Sequence, residues 1–347
     1  MAARMMMRSC RQVPLATLCC RIQRLATRAA AATTDAQPSS LVSLVRAAAA
    51  KHARLGAVTV EHAPRVPWTS AAPLWRHSAL QPVASVHTDF PDADAGPSLG
   101  QVPAEVSAHL AQAHVQAVAA HTRTEAELVT RLQAVAQLKP AGILCLSGDA
   151  RGDRSPSATP ALLRLARRTI AAHISLAVVA NPMVEPAQAV RPKLDAGAEA
   201  LFLQPSVVPG RMARWFESAA PMLAHMPVLV GVACMTCVED VSLWLRLVGC
   251  DAQSDADAAA LLATWQRATS LGRAHVEELA HTTLRLALHE AATLPVAGLH
   301  FMPINRRGFD LGVHAGALLE AVRASRPEPR QTGPGLGTST AQAGSEA

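Results

Sequence analysis

A short apolar run rich in β-branched residues recurs eight times along this chain, and most of the gaps between runs carry amphipathic segments of helical period. The runs are Ala57 to Glu61, Pro82 to Thr88, Val115 to His121, Gly142 to Leu146, Ile174 to Ala180, Ala200 to Gln204, Val228 to Ala233 and Val296 to Met302. The helical segments are Ala104 to Gln112, Thr124 to Leu138, Thr159 to Ala172, Pro186 to Ala196, Arg211 to Ala224 and Cys237 to Val248. Strands that are apolar on both faces need cover on both, and eight of them in βα alternation predict a closed parallel (βα)8 TIM barrel of the α/β class. An open doubly wound sheet is the runner-up, but no Gly-x-Gly-x-x-Gly phrase supports it.

Local signals agree with the helix assignments. Thr124-Glu-Ala-Glu127 reads as a capping box, and Thr159-Pro160 as an N-cap followed by proline in the first turn. Gly197 stands where a C-cap glycine would end a helix and turn the chain into the strand at Ala200. The barrel is expected over residues 40–324, with Asp251 to Leu294 as an insert before the last strand, helical from about Asp255 to Leu288. Residues 325–347, rich in Pro, Gly, Ser and Thr, read as a disordered tail.

The first 34 residues hold Arg4, Arg8, Arg11, Arg21, Arg24 and Arg28, no lysine, and no acid before Asp35. That is the composition of a mitochondrial or plastid transit peptide, and a mitochondrial matrix destination is expected, with a disordered basic arm as the alternative. Apolar stretches in this leader are too short to span a membrane, and no membrane span is expected. These six arginines account for the whole formal charge of +6. With no basic face left, no Tyr and five Phe, a nucleic-acid partner is not expected. Beyond the leader, Cys145, Cys234, Cys237 and Cys250 are too few for a disulfide scaffold and read as core fillers.

Chemistry in such barrels gathers at the carboxyl ends of the strands. The polar residues there are Glu61, His62, His87, Thr88, His121, Thr122, Gly148, Asp149, Asn181, Gln204, His300, Asn305 and Arg306. Three imidazoles, His62, His87 and His121, would suit zinc if they converged, yet no His-x-His phrase ends the first strand, and no metal is assigned.

Several phrases resemble the methylenetetrahydrofolate reductase family, in the family's order, over roughly residues 55–310. They are Val58-Thr-Val-Glu-His-Ala-Pro64, Ile143-Leu-Cys-Leu-Ser-Gly-Asp149, Val178-Val-Ala-Asn-Pro182, Lys193-Leu-Asp-Ala-Gly-Ala-Glu-Ala-Leu-Phe-Leu-Gln204 and Leu299-His-Phe-Met-Pro-Ile-Asn305. The resemblance implies a flavin-binding (βα)8 barrel in which NADH or NADPH reduces FAD, and the flavin reduces 5,10-methylenetetrahydrofolate to 5-methyltetrahydrofolate. Glu61 then matches the catalytic acid that opens the five-membered ring, a role that needs a carboxyl group holding its proton near neutral pH. Asp149 matches the acid beside flavin and pterin. Gln204 matches the amide that pairs with the pterin edge, Trp244 a Phe that stacks on folate or nicotinamide, and Arg306 a group facing the glutamate tail. His121, Gly148, Asp149, Asn181 and Lys193 fall on cofactor-binding positions.

Departures from the family pattern cluster in the flavin loops. His62-Ala63-Pro64-Arg65 replaces a phrase with two aromatics and two prolines, and Asp89, Asp92 and Asp94 follow the second strand without a glycine cradle. Asn181 replaces a Tyr and Glu185 a His, and the stretch to Lys193 is shortened. The alternative reading is therefore a barrel that has lost FAD and serves as a structural or assembly subunit of a mitochondrial complex. A homo-oligomer is the partner arrangement open to the active enzyme. The chain stops soon after the barrel, so the regulatory domain that animal members add, with its inhibition by S-adenosylmethionine, is not expected.

Overall fold

Each of the eight apolar runs becomes a strand, and the computed structural model closes them into one parallel barrel in chain order, with the last strand paired to the first. It describes residues 39–52, 55–62, 80–89, 113–120, 123–148 and 158–324. The expected leader, the helix expected over Ala104 to Gln112, the expected tail, His121 and Asp149 lie outside them.

The strands are β1 (Ala57–His62), β2 (Ala84–His87), β3 (Ala113–Ala119), β4 (Gly142–Leu146), β5 (Ser175–Ala180), β6 (Ala200–Leu203), β7 (Val228–Ala233) and β8 (Gly298–Met302). Period-two alternation sorts their side chains into two cores. Ala57, Ala84, Val86, Val115, Ala117, Leu144, Ala177, Ala200, Phe202 and Leu229 cluster in the interior. Val58, Val60, Val118, Ile143, Cys145, Leu176, Val178, Leu201, Val230, Val232 and Phe301 join the helix-facing core.

Helix α1 (Leu41–Lys51), absent from the sequence reading, closes the amino-terminal end of the barrel. Its Leu41 and Val45 belong to the interior cluster, and Leu41 N–H donates to Ala141 O at 2.8 Å. Ser40 caps it, accepting from Ser43 N–H, so the signal for this helix was present in the residues. The later helices follow expectation more closely. In α2 (Glu125–Gln137) the capping box of Thr124 and Glu127 is formed in both directions. α3 (Ala158–Thr169) begins one residue earlier than expected, which leaves Thr159 and Pro160 within the first turn, where a missing N–H costs nothing. The segment from Pro186 is a 3-10 turn (Ala187–Val190) running into the short α4 (Arg191–Asp195). Gly197 ends it at φ +94, with its N–H on Leu194 O, a left-handed position that suits glycine.

α5 (Arg211–Leu223) is followed by the main difference from expectation. Helix α6 (Val238–Leu247) does not run down the outside of the barrel as a crossover. Its start is tied to the loop after β8, where Asn305 Nδ2 donates to Asp240 Oδ1 at 2.9 Å. Its end reaches the loop after β5, where Asn181 Nδ2 donates to Val248 O at 2.9 Å. α6 therefore crosses the carboxyl rim above β5 to β7. The expected insert helix is two helices, α7 (Ala256–Leu271) and α8 (Arg273–Thr293), broken at Gly272. α7 is anchored by Asp255, which caps it and holds Arg211 through two bonds of 2.7 Å. α8 packs on β7 and on α9 (Arg306–Ala324), and so fills the crossover place between β7 and β8. Among the described residues no helix is long and apolar enough to cross a membrane.

Candidate functional site

The interior alternation of β1 continues from Ala57 through Thr59 to Glu61, and that of β6 from Phe202 to Gln204. Register levels Thr59 with Gln204 and leaves Glu61 one inward position above them, since His300 of β8 lies opposite Thr59 on one side and Gly231 of β7 on the other. Leu203 lies opposite Val230, so Gln204 follows beside Gly231. The resulting row at the carboxyl mouth runs Thr59, His300, Gly231, Gln204.

Polar contacts at this mouth are specific. Glu61, its side chain 22% exposed, places Oε2 3.6 Å from His300 Nε2. On its far side His300 Nδ1 is 3.0 Å from Thr59 Oγ1, and that hydroxyl donates to Leu299 O at 3.4 Å. Phe202 meets the imidazole edge-on, with centroids 5.0 Å apart at 87°. Buried at 3% exposure, His300 is thus fixed on three sides. Gln204 donates its backbone N–H to Ala180 O, while its half-buried amide has no partner among the described residues.

The other candidates separate by what they touch. Lys193 Nζ donates to Val179 O at 2.7 Å and lies 3.5 Å from Glu185 Oε2. Asn181 spends its amide on Val248 O and its carbonyl on Met183 N–H, an Asx turn that secures the end of α6. Trp244 is buried at 2% in the cluster that holds Val207, Val208 and Met235, and presents no face for stacking on a ligand. Arg306 is exposed at the first turn of α9, whose start is capped by Asn305 Oδ1 accepting from Gly308 N–H at 2.9 Å. Gly148, two residues past the end of β4, has φ +98. Asp89, one of the acids that follow the second strand, has a fully buried carboxylate paired with Arg123 and Arg131. It also accepts from Ala119 N–H at 3.0 Å. Its charge is neutralised within the wall.

Of the three histidines weighed as zinc ligands, His62 and His87 do not face the mouth, and His121 lies outside the described residues. His62 and His87 pack with tilted rings, centroids 5.5 Å apart, on the helix-facing side of β1 and β2, and His114 of β3 joins them edge-on at 6.2 Å from His87. Burial, together with the neighbouring His62 and His114, lowers the His87 pKa to about 3, and burial lowers that of His114 to about 4. Among the described residues no group of three His, Cys, Asp or Glu side chains could hold a metal ion. All four cysteines past the leader are free thiols, and burial pushes the pKa of Cys145 and of Cys234 up to about 12, which removes them as nucleophiles.

No family model matches the chain, and no curated protein matches it. Among solved structures it is similar to an uncharacterized protein from Clostridium thermocellum that binds two copies of 5-methyl-5,6,7,8-tetrahydrofolic acid. The identity is 10%, with 80% of this chain and 99% of that one covered and a TM-score of 0.50. The likeness is one of fold. Weaker likenesses reach 2,3-dimethylmalate lyase, of the PEP mutase/isocitrate lyase superfamily, at 14% identity, 55% and 70% coverage and a TM-score of 0.39. Oxaloacetate acetylhydrolase follows at 12% identity, 60% and 78% coverage and a TM-score of 0.41.

Sequence reasoning brought Glu61, Gln204 and His300 to the strand ends but gave His300 no role and missed Thr59 and Phe202 as inner lining. The signal was available, because each lies two residues from a candidate on the same strand or alternates inward within a quoted phrase. Asp240 was missed as well. It is buried at 6% and accepts from Thr236 N–H at 2.8 Å, from Thr236 Oγ1 at 2.7 Å and from Asn305, which locks α6 to the loop after β8.

Proposed function

We propose that the barrel mouth binds a reduced folate, with Glu61 as its proton donor and Gln204 as the amide that reads the pterin edge. The observation that carries this reading is a carboxyl group backed by His300 at the mouth of an apolar barrel, one inward position above a row that ends in an amide with no protein partner among the described residues. A pterin offers an edge of alternating donors and acceptors, and an amide can meet both kinds. The fold-level likeness to a protein that binds 5-methyl-5,6,7,8-tetrahydrofolic acid points the same way.

The reaction proposed is reduction of 5,10-methylenetetrahydrofolate to 5-methyltetrahydrofolate. In its acid step the bond from the bridging carbon to N10 breaks, N10 takes the proton of Glu61, and the cation remains on the iminium at N5. FAD, reduced by NADH or NADPH, would supply the hydride. Two described residues assigned to FAD do not fit that role, because Lys193 and Asn181 are engaged with Val179 O, Glu185, Val248 O and Met183. That engagement favours a second reading, a folate-binding barrel without flavin that serves as a subunit of a mitochondrial complex. The Arg-rich start at 1–34 is the basis for proposing a matrix location in both readings.

The test is a visible spectrum of the purified full chain before and after denaturation, with calorimetric titration of 5-methyltetrahydrofolate. Released flavin with folate binding and NAD(P)H oxidation supports the reductase, and Glu61→Gln should then abolish turnover while retaining folate. A colourless protein that binds folate supports the second reading. A colourless protein with no affinity for folate sinks both.

A further inference from the structure

We infer that His300, held in one tautomer by Thr59, is the positioning residue that keeps Glu61 loaded with its proton, an inference that rests on the acid role proposed for Glu61. The carbonyl oxygen of Leu299 can only accept. Thr59 Oγ1 lies 3.4 Å from that oxygen and 3.0 Å from His300 Nδ1. A hydroxyl has a single proton to give. If it goes to Leu299 O, the hydroxyl can serve His300 only as an acceptor, and Nδ1 must carry the ring proton. In the neutral ring Nε2 is then a bare lone pair, and Nε2 is the atom that faces Glu61 Oε2 at 3.6 Å.

A carboxylate opposed to that lone pair is unfavourable, whereas a carboxylic acid that closes the 3.6 Å gap to hydrogen-bond distance can donate to it. The tautomer therefore favours the loaded form of Glu61. When Glu61 passes its proton to the folate nitrogen, the pair is left as a carboxylate and a neutral imidazole. The vacancy is refilled from solvent at the mouth, where Glu61 is 22% exposed. His300 is too buried to collect that proton itself, at 3% exposure, and Phe202 packs edge-on against its ring. No oxidant or second reactant enters the step.

The opposite arrangement makes the inference falsifiable. Were Thr59 to give its proton to Nδ1, the ring proton would sit on Nε2 and would stabilise ionised Glu61, the spent form. Nitrogen-15 chemical shifts of histidine in the ligand-free full chain distinguish the two, with the His300 signal assigned by its loss in His300→Gln. At pH 7.5 the expected result is protonated Nδ1 and bare Nε2. Thr59→Val, of nearly equal volume, should release the ring to the other tautomer, and Thr59→Ser should restore it. A wild-type ring protonated at Nε2, or at both nitrogens, overturns the inference whether or not folate binds. In parallel, titration of 5-methyltetrahydrofolate in two buffers of different ionisation enthalpy counts the protons that accompany binding. That count should change in Thr59→Val and return in Thr59→Ser. A chain that shows the expected tautomer but no folate affinity retains the proton geometry and loses the proposed function. If Thr59→Val fails to fold, the wild-type and Thr59→Ser spectra still decide.

Discussion

A β-carbon on Gly231 would stand 2.4 Å from Leu203 O and 2.8 Å from Pro205 N, both backbone atoms that cannot yield without moving β6. Gly231→Ala should therefore destabilise the chain by about 1–3 kcal/mol, the usual range for overpacking a fitted site. Urea unfolding would measure it, and an unchanged midpoint would contradict the close approach of the two strands. Gln204→Leu is expected to act differently, lowering affinity for 5-methyltetrahydrofolate roughly tenfold by removing a paired amide while leaving the melting temperature in place. Strand alternation made Glu61 and Gln204 legible in the residues, because a polar group ending an apolar run is visible locally. What Lys193 and Asn181 do was not legible. A lysine and an asparagine at such positions look the same whether they await a ligand or serve Val179 O and Val248 O, and the second of those acceptors lies 67 residues away.

At the scale of elements, Asp89 joins the end of β2 to the end of β3 and to α2 through Ala119, Arg123 and Arg131. Asp89→Asn would leave two guanidinium groups without their counter-charge, and a loss of about 2–3 kcal/mol is expected in thermal or chemical melts. The barrel order was readable from eight runs and their spacing, and the capping box at Thr124 fixed the start of α2. The exchange of roles between α6 and α8 was not readable. Both are amphipathic and both precede β8, and the bonds that set α6 over the rim join it to Asn181 and Asn305, far away in sequence. Helix α1 was readable but passed over, since Ser40, Leu41 and Val45 carry an N-cap and one apolar face.

For the whole molecule, the buried histidines set how stability varies with pH. His87 and His114 have folded-state pKa values lowered to about 3 and about 4, while an unfolded chain restores the ordinary value of 6.5. Between these limits the unfolded chain binds more protons, so the stabilisation is whole above pH 6.5 and is lost as the pH falls toward 4. Each histidine can contribute a slope of up to about 1.4 kcal/mol per pH unit. Melting curves from pH 7.5 to 4.5 should show the decline, and His114→Gln should flatten it. A melting temperature independent of pH over that span would refute the assignment. The same global view gives the route of the chain after β7 a further meaning. Strand closure depends on β7, α8 and β8, whereas the rim above β5 to β7 is roofed by α6, with α7 leading back from it to α8. Frame and roof are written in separate stretches of sequence, so substitutions between Val238 and Leu271 can remodel access to the mouth without renegotiating a single strand register. A lineage could exchange one ligand for another there while inheriting the barrel intact.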